Sequence, residues 1–224
     1  MPVDRASVRL LLIRHGQAGG PGVAYGSQAP LTELGLVQAS HIATGLVSLG
    51  VTRIVSSPFV RARQTAEASA GLLRQPLELD DRLAEFQMGD EDEISIQEMM
   101  EEQRYLRLWQ PHHSLSEHGE TLAVFQERVS ATLSEITRAP GASETLTQTV
   151  AVFTHGGTIA AGMRWAYGLT PEDNWHSDVE IHNASITEVE HWPLGRHPQG
   201  APHSTALHRL NDVRHLPAAL VTDF

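Results

Sequence analysis

The stretch VRLLLIRHG, residues 8–16, decides how the rest of the chain is read. Val8 to Ile13 is a nearly continuous apolar run that stops abruptly at Arg14-His15-Gly16, the pattern of a strand buried on both faces and ending in a polar loop. A second run of the same kind, Thr149 to Phe153, stops at Thr154-His155-Gly156-Gly157. In doubly wound sheets, ligands bind beyond the carboxyl ends of the parallel strands. His15 and His155 are therefore expected to face one crevice. If their strands are neighbours, the two ends lie roughly 5 Å apart, close enough for two imidazoles to approach one group from different sides.

Between and around these runs, strands alternate with helices. Thr32 to Leu49 carries Leu34, Ala39, Ile42, Leu46 and Leu49 at helical spacing, with Thr32 as N-cap and Gly50 as stop. Arg53 to Ser56 reads as a short strand, and Ser57-Pro58 as an N-cap and first position of a helix running to Leu73. Pro76 to Leu79 reads as a third strand. The acidic cluster Asp90-Glu91-Asp92-Glu93 suits the amino end of a helix through Trp109. Glu120 to Arg138 has helical spacing at Leu122, Phe125, Val129, Leu133 and Ile136. Ala139 to Gln148 reads as a solvated connection and Pro193 to Pro202 as a loop. A helix from the second histidine motif to Tyr167, then strands at Ser185 to Val189 and Ala206 to Leu210, complete the pattern. Such alternation implies an α/β fold: a three-layer α/β/α sandwich with a mostly parallel central sheet.

At 224 residues, the chain is long enough for one sizeable core, so a single domain spanning residues 1–224 is expected. Its 41% hydrophobic and 19% charged residues are those of an ordinary globular protein. A formal charge of −11 argues against nucleic acid as a partner, because phosphate backbones select basic surfaces. A few arginines focused in a cleft can still attract a small anion. The opening apolar run is too short for a signal-sequence core or a membrane span, which leads to the expectation of a cytoplasmic protein with no membrane partner. With no cysteine, thiolate nucleophiles and cysteine-ligated zinc are excluded, and histidine must carry any nucleophilic role.

The residues beside the two histidines suit phosphoryl transfer. Arg14 precedes the first, and Arg61 lies early in the helix after Ser57-Pro58, whose N-terminus favours an anion. Guanidinium forks match phosphoryl oxygens in charge and geometry. Their charge also disfavours imidazolium, so His15 keeps the unprotonated nitrogen needed for attack. Gly16 and Gly156 let the backbone approach an anion closely. A carboxylic acid must protonate the departing oxygen. Glu85 is the candidate, with Asp80, Asp81 and Asp90 as the other carboxylates that could take its place. Taken alone, an RHG triplet after a strand is as readily a turn with a satisfied histidine.

Several ordered segments resemble a known family, the histidine phosphatases, also called phosphoglycerate-mutase-like proteins. Arg14-His15-Gly16-Gln17 is similar to its RHG signature, Pro30-Leu31-Thr32-Glu33-Leu34-Gly35 to its PLTxxG segment, and Ser56 to Thr65 (SSPFVRARQT) to its second-arginine motif. Leu83-Ala84-Glu85 is similar to the LxE element, Gly119-Glu120-Thr121 to the GES-type element, and Thr154 to Gly157 to the second-histidine motif. The resemblance spans about Leu10 to Ser185. It implies His15 as phosphate acceptor, Arg14, Arg61 and His155 as a phosphate clamp, and Glu85 as proton donor, with water then releasing phosphate in a two-step transfer. It implies no metal and no cofactor, a small phosphorylated substrate and, as the commonest oligomer, a homodimer. A helical insertion at about 86–138 is expected to cover the active site.

The chain also departs from the family pattern. Ala18 and Pro21 stand where many members carry a small polar residue and an asparagine, and Gln17 is the residue left to compensate at the phosphate. Glu85-Phe86-Gln87-Met88-Gly89 replaces the ERxYG-type segment of the mutase branch, which favours a phosphatase over a mutase. A cofactor-dependent mutase and a catalytically silent phospho-ligand binding module are the alternatives. Arg63 reads as a surface charge, Glu120 as an ordinary helix-start residue, and His112, His113 and His118 as solvated histidines without metal-ligand spacing. His182-Asn183-Ala184-Ser185 reads as a loop bordering the pocket, Trp109, Trp165 and Trp175 as core or interface residues, and His176 and His191 stay unassigned.

Overall fold

The computed structural model describes residues 7–19, 26–89, 110–114, 116–138, 147–173, 179–192 and 204–223. Asp90 to Trp109, Trp175, His176, Pro21 and the Pro193 to Pro202 stretch lie outside the described residues, as does most of the expected connection after Arg138.

Among the described residues, six strands form one sheet in the order β3-β2-β4-β1-β5-β6. They are β1 (Val8–Arg14), β2 (Arg53–Ser56), β3 (Leu77–Leu79), β4 (Gln148–Thr154), β5 (Ile186–His191) and β6 (Thr205–Asp212). β1 pairs in parallel with β4, β4 with β2, and β2 with β3. β5 runs antiparallel to both β1 and β6, so it is the one reversed strand of the six. The α-helices among the described residues are α1 (Glu33–Leu46), α2 (Val60–Leu73), α3 (Leu122–Ile136) and α4 (Gly156–Ala166). No helix among the described residues is long and apolar enough to cross a membrane.

Alternation along the central strands sorts the core into two layers, because successive side chains point to opposite faces of a sheet. Leu11, Ile13, Ile54, Ala151 and Phe153 pack with Ile42 and Leu46 of α1 and Ala66 of α2. Leu10, Leu12, Val55, Val150 and Val152 pack with Phe125, Val129 and Leu133 of α3 and Ile159 of α4. The expected α/β/α sandwich is therefore observed. α3 was expected within a helical insertion at 86–138, but its apolar face belongs to the second core layer. Trp165 is half-buried against that layer and donates to Ser134 Oγ at 2.9 Å.

Local signals explain most boundaries. The Thr32 side chain accepts from Gly35 N and caps α1, and a single turn of 3₁₀ helix (Val47–Leu49) leads to Gly50 at φ 65°. The Ser57-Pro58 cap is a correction: α2 begins at Val60, its N-cap is Phe59, and no side chain caps it. The Ser57 hydroxyl is drawn instead to His155.

One contact between glycines ties the first loop to α1. A Cβ on Gly16 would stand 2.6 Å from Gly35 O, and one on Gly35 would stand 2.0 Å from Gln17 O. Gly16 is thus required for close approach to α1, whereas the sequence suggested close approach to an anion. Alanine at Gly35 would gain up to about 1 kcal/mol of helix propensity, but the overpacking costs about 1–3 kcal/mol. Gly35→Ala should therefore lower the denaturant midpoint measured by circular dichroism, and an unchanged or higher midpoint would show that propensity outweighs packing.

Candidate active site

The register of β1 and β4 places Arg14 opposite Thr154, and the ladder continues one residue further with His15 N donating to Thr154 O at 3.0 Å. His15 and His155 therefore leave adjacent strand ends side by side, with ring centroids 5.2 Å apart in an edge-to-face arrangement. Both are fully sequestered, His15 at 2% and His155 at 0% relative exposure.

Hydrogen bonds fix the His15 tautomer. Nδ1 lies 2.7 Å from the carbonyl oxygen of Gly16, which can only accept, so Nδ1 carries the proton. Nε2 is then unprotonated, and it accepts from Arg61 Nε at 3.1 Å. Burial, then the charges of Arg61 and Arg14, hold the His15 pKa well below 6.5 against the opposing pull of the Gly16 carbonyl. Burial also lowers His155, followed by His15, Arg61 and Arg14.

Each cation is held by backbone. Arg61, the second residue of α2, is 2% exposed and donates from an Nη1 to Gly26 O at 2.8 Å. Its guanidinium lies 5.2 Å from the Phe59 ring centroid. Arg14 donates to the carbonyls of Ile181 and Asp223, the latter at 2.8 Å. Gly156 lies against the Arg14 guanidinium, since a Cβ there would approach its Nε at 3.8 Å.

Glu85 reaches the same place from the turn after β3. Its Oε2 accepts from Gly157 N at 3.0 Å, and its Oε1 accepts from Phe86 N at 2.9 Å. A side chain at position 157 would collide with it, a Cβ standing 2.5 Å from Oε1. Thr154 Oγ1 donates to Leu83 O at 2.7 Å and Thr158 Oγ1 to Ala84 O at 3.1 Å, so the second-histidine segment binds the segment that carries Glu85. Of the rival carboxylates, Asp80 pairs with Arg82 at 2.8 Å, Asp81 is exposed on a 3₁₀ turn, and Asp90 lies outside the described residues.

Five of the expected residues, Arg14, His15, Arg61, Glu85 and His155, thus converge with Gly156. Gln17 sits beside them, but its side-chain carbonyl accepts from Thr32 Oγ1 at 2.9 Å. Ala18 bridges to Leu31 and is buried with it in a small apolar cluster, which suits alanine better than a polar residue. Arg63 is half-buried and lies 3.5 Å from Glu67, and His112 is exposed and lies 2.7 Å from Glu172. The 182–185 loop does border the site, since Ala184 N donates to His15 O at 3.0 Å and Ile181 O holds Arg14.

Supporting residues escaped the sequence reading. Ser57 Oγ lies 2.8 Å from His155 Nε2. Thr65 Oγ1 accepts from Gly16 N at 3.1 Å and donates to Arg61 O at 2.7 Å, joining the two motifs. Gln38 Oε1 accepts from Gln17 N at 2.7 Å while its Nε2 donates to Leu220 O. Gln38 left a signal: a polar side chain on the face of α1 that carries Ala39, Ile42 and Leu46.

Buried neutral histidines link stability to pH. Unfolding restores an ordinary pKa near 6.5, so the unfolded chain binds more protons between that value and the lowered folded values. His191 and His215 are lowered as well, in both cases chiefly by burial. Stability should be greatest above about pH 6.5 and decline as pH falls below it. Denaturant midpoints at stepped pH check this, and His155→Asn should flatten part of the slope.

A profile of the histidine phosphatase superfamily (branch 1) matches residues 10–199. A Hydrogenobacter thermophilus protein named "Putative phosphoserine phosphatase 2" is 30% identical over 188 residues, covering 81% of this chain and 88% of that protein. An Escherichia fergusonii protein named "Probable phosphoglycerate mutase GpmB" is 27% identical over 218 residues, covering 94% and 96%. The structure of mycobacterial glucosyl-3-phosphoglycerate phosphatase is similar at a TM-score of 0.75 and 25% identity, covering 92% of this chain and 99% of that one. With its motifs assembled around one buried pair of histidines, the chain belongs to the histidine phosphatase superfamily, branch 1.

Proposed function

We propose that the protein is a phosphomonoesterase that hydrolyses a small phosphorylated substrate through a phosphohistidine on His15. The observation that carries this reading is the His15 tautomer: Nδ1 is committed to Gly16 O, leaving Nε2 with a lone pair at the arginine-lined end of β1. A neutral imidazole is nucleophilic, and this one stays neutral below the usual histidine range.

In the first step, Nε2 attacks phosphorus and the ester P–O bond breaks. The cations of Arg14 and Arg61 stabilise charge on the phosphoryl oxygens. Arg61 Nε, which donates to Nε2, turns to a phosphoryl oxygen when the lone pair is used. Ser57 Oγ already accepts from Phe59 N, and its proton is suitably placed for His155 Nε2. In that arrangement His155 Nδ1 carries a hydrogen, and among the described residues it has no hydrogen-bond partner, so it can donate to phosphate. Glu85, protonated beside a bound dianion, gives its proton to the departing oxygen. In the second step, the Glu85 carboxylate takes a proton from water as that water attacks phosphorus. The N–P bond breaks, and phosphate and neutral His15 are regenerated.

The single domain, the absence of a metal requirement and a cytoplasmic setting belong to the same proposal. The relatives' names point to substrates carrying a carboxylate beside the phosphate, such as phosphoserine and phosphoglycerate derivatives. The match to a protein named as a phosphoglycerate mutase supports a second reading, transfer of phosphate between hydroxyls of one substrate.

Phosphate release from p-nitrophenyl phosphate, phosphoserine and phosphoglycerates, with chelator present, separates these readings. Hydrolysis that survives chelator and falls by at least about 10³-fold in His15→Ala is expected. Bisphosphoglycerate-primed isomerisation without net phosphate release would support the mutase, and an active His15→Ala would overturn the phosphohistidine.

A further inference from the structure

The segment from Arg82 to Gln87 carries Glu85 and has little regular structure beyond the 3₁₀ turn at Asp81–Leu83. General acid catalysis needs that carboxyl held within hydrogen-bond reach of the departing oxygen. Thr154 and Thr158 bind the segment from the strand side. On the other side stands Arg128, in the middle of α3.

One Nη of Arg128 donates to Arg82 O at 2.8 Å and to Ala84 O at 3.1 Å, and the other approaches Glu85 O at 3.4 Å. The guanidinium is oriented from behind by Glu120, whose Oε1 lies 2.5 Å from Nη2 and Oε2 3.2 Å from Nε. Phe125 lies beneath it at 5.1 Å. Glu120 grips the same segment directly: Oε1 accepts from Gln87 N at 2.8 Å, and Glu120 N donates to Gln87 O at 2.9 Å. The two side chains are 16% and 10% exposed, so their pairing is sheltered from water, unlike a surface ion pair.

We infer that Arg128 and Glu120 are positioning residues that hold the Glu85 segment in register with His15, and thereby set how well the enzyme protonates its leaving group. Neither reaches the reacting atoms. Planar guanidinium geometry explains why arginine is required, since three carbonyls and a carboxylate must be served by one fork. Glu120 is thus more than a helix-start residue. The inference rests on Glu85 as proton donor.

A leaving-group comparison tests it. An acidic nitrophenolate departs without a proton, whereas an alkoxide needs one. Glu85→Gln should lose about 10²-fold or more in kcat/KM on glycerol 2-phosphate or phosphoserine and far less on p-nitrophenyl phosphate. Arg128→Ala and Glu120→Ala should show the same selective loss, smaller in size, and Arg128→Lys should restore only part of it. Each variant is checked by circular dichroism. Because Arg128→Ala can lose stability, Glu120→Gln, which keeps an acceptor for Gln87 N, serves as the milder variant. Equal losses on both substrates, or none, in folded Arg128 and Glu120 variants would overturn the inference while leaving Glu85 intact. A Glu85→Gln enzyme without leaving-group selectivity would instead remove the proton-donor reading itself.

Discussion

Seven residues of β1 pair in parallel with seven of β4, the last pair being Arg14 and Thr154, and one further backbone hydrogen bond joins His15 N to Thr154 O. Every feature of the site depends on this pairing. It sets His15 and His155 one residue beyond adjacent strand ends, where the chain leaves the sheet and the imidazoles can meet. α1 and α2 cover one face and α3 and α4 the other, and both histidines are buried. A slip of one residue would turn every β1 side chain to the opposite face and would take Arg14 and His15 away from their places beside Thr154 and His155. The sheet that provides stability therefore also provides the geometry of the candidate site.

Burial has a second consequence. Two cations and two imidazoles in one sheltered cluster cannot all be charged, and the histidines are the groups that give up the proton. Backbone carbonyls of Gly26, Ile181 and Asp223 accept from the guanidinium groups that remain. The site thus sets two cations beside a neutral imidazole, and in the proposed reaction a phosphoryl oxygen takes over the Arg61 donor that His15 Nε2 now accepts. Preorganisation of this kind spares the reacting state the cost of reorientation.

Much of this was legible in the sequence, because the central strands are apolar runs and the reactive residues follow them immediately. The β1 and β4 runs, the Thr32 cap and the Gly50 stop record local physics, and the structure places them within a residue or two. Other features depend on contacts that sequence neighbours do not reveal. The Ser57-Pro58 pair has the composition of a cap, yet the Ser57 hydroxyl serves a histidine 98 positions away. Gly16 looks like an anion-loop glycine, but its missing side chain makes room for Gly35. The reversed direction of β5 leaves no trace in its composition, since alternation looks the same in either orientation. Arg128 lay unnoticed inside an amphipathic helix because its partners are carbonyls, which carry no residue code. The position of Gln17 after the RHG triplet suggests phosphate, and nothing in the sequence shows that Thr32 Oγ1 donates to its side-chain carbonyl.

The central claim is that His15 acts through Nε2 because Nδ1 is held by Gly16 O. The most direct test is to quench the enzyme during turnover of a phosphorylated substrate and locate any protein-bound phosphate. Mass spectrometry of the digest identifies the residue, and ³¹P–¹H NMR identifies the ring nitrogen. The account predicts an acid-labile, base-stable phosphate on His15, attached at Nε2 and absent from His15→Ala. Phosphate on Nδ1, on His155, or on no residue under conditions where substrate is turning over would contradict it.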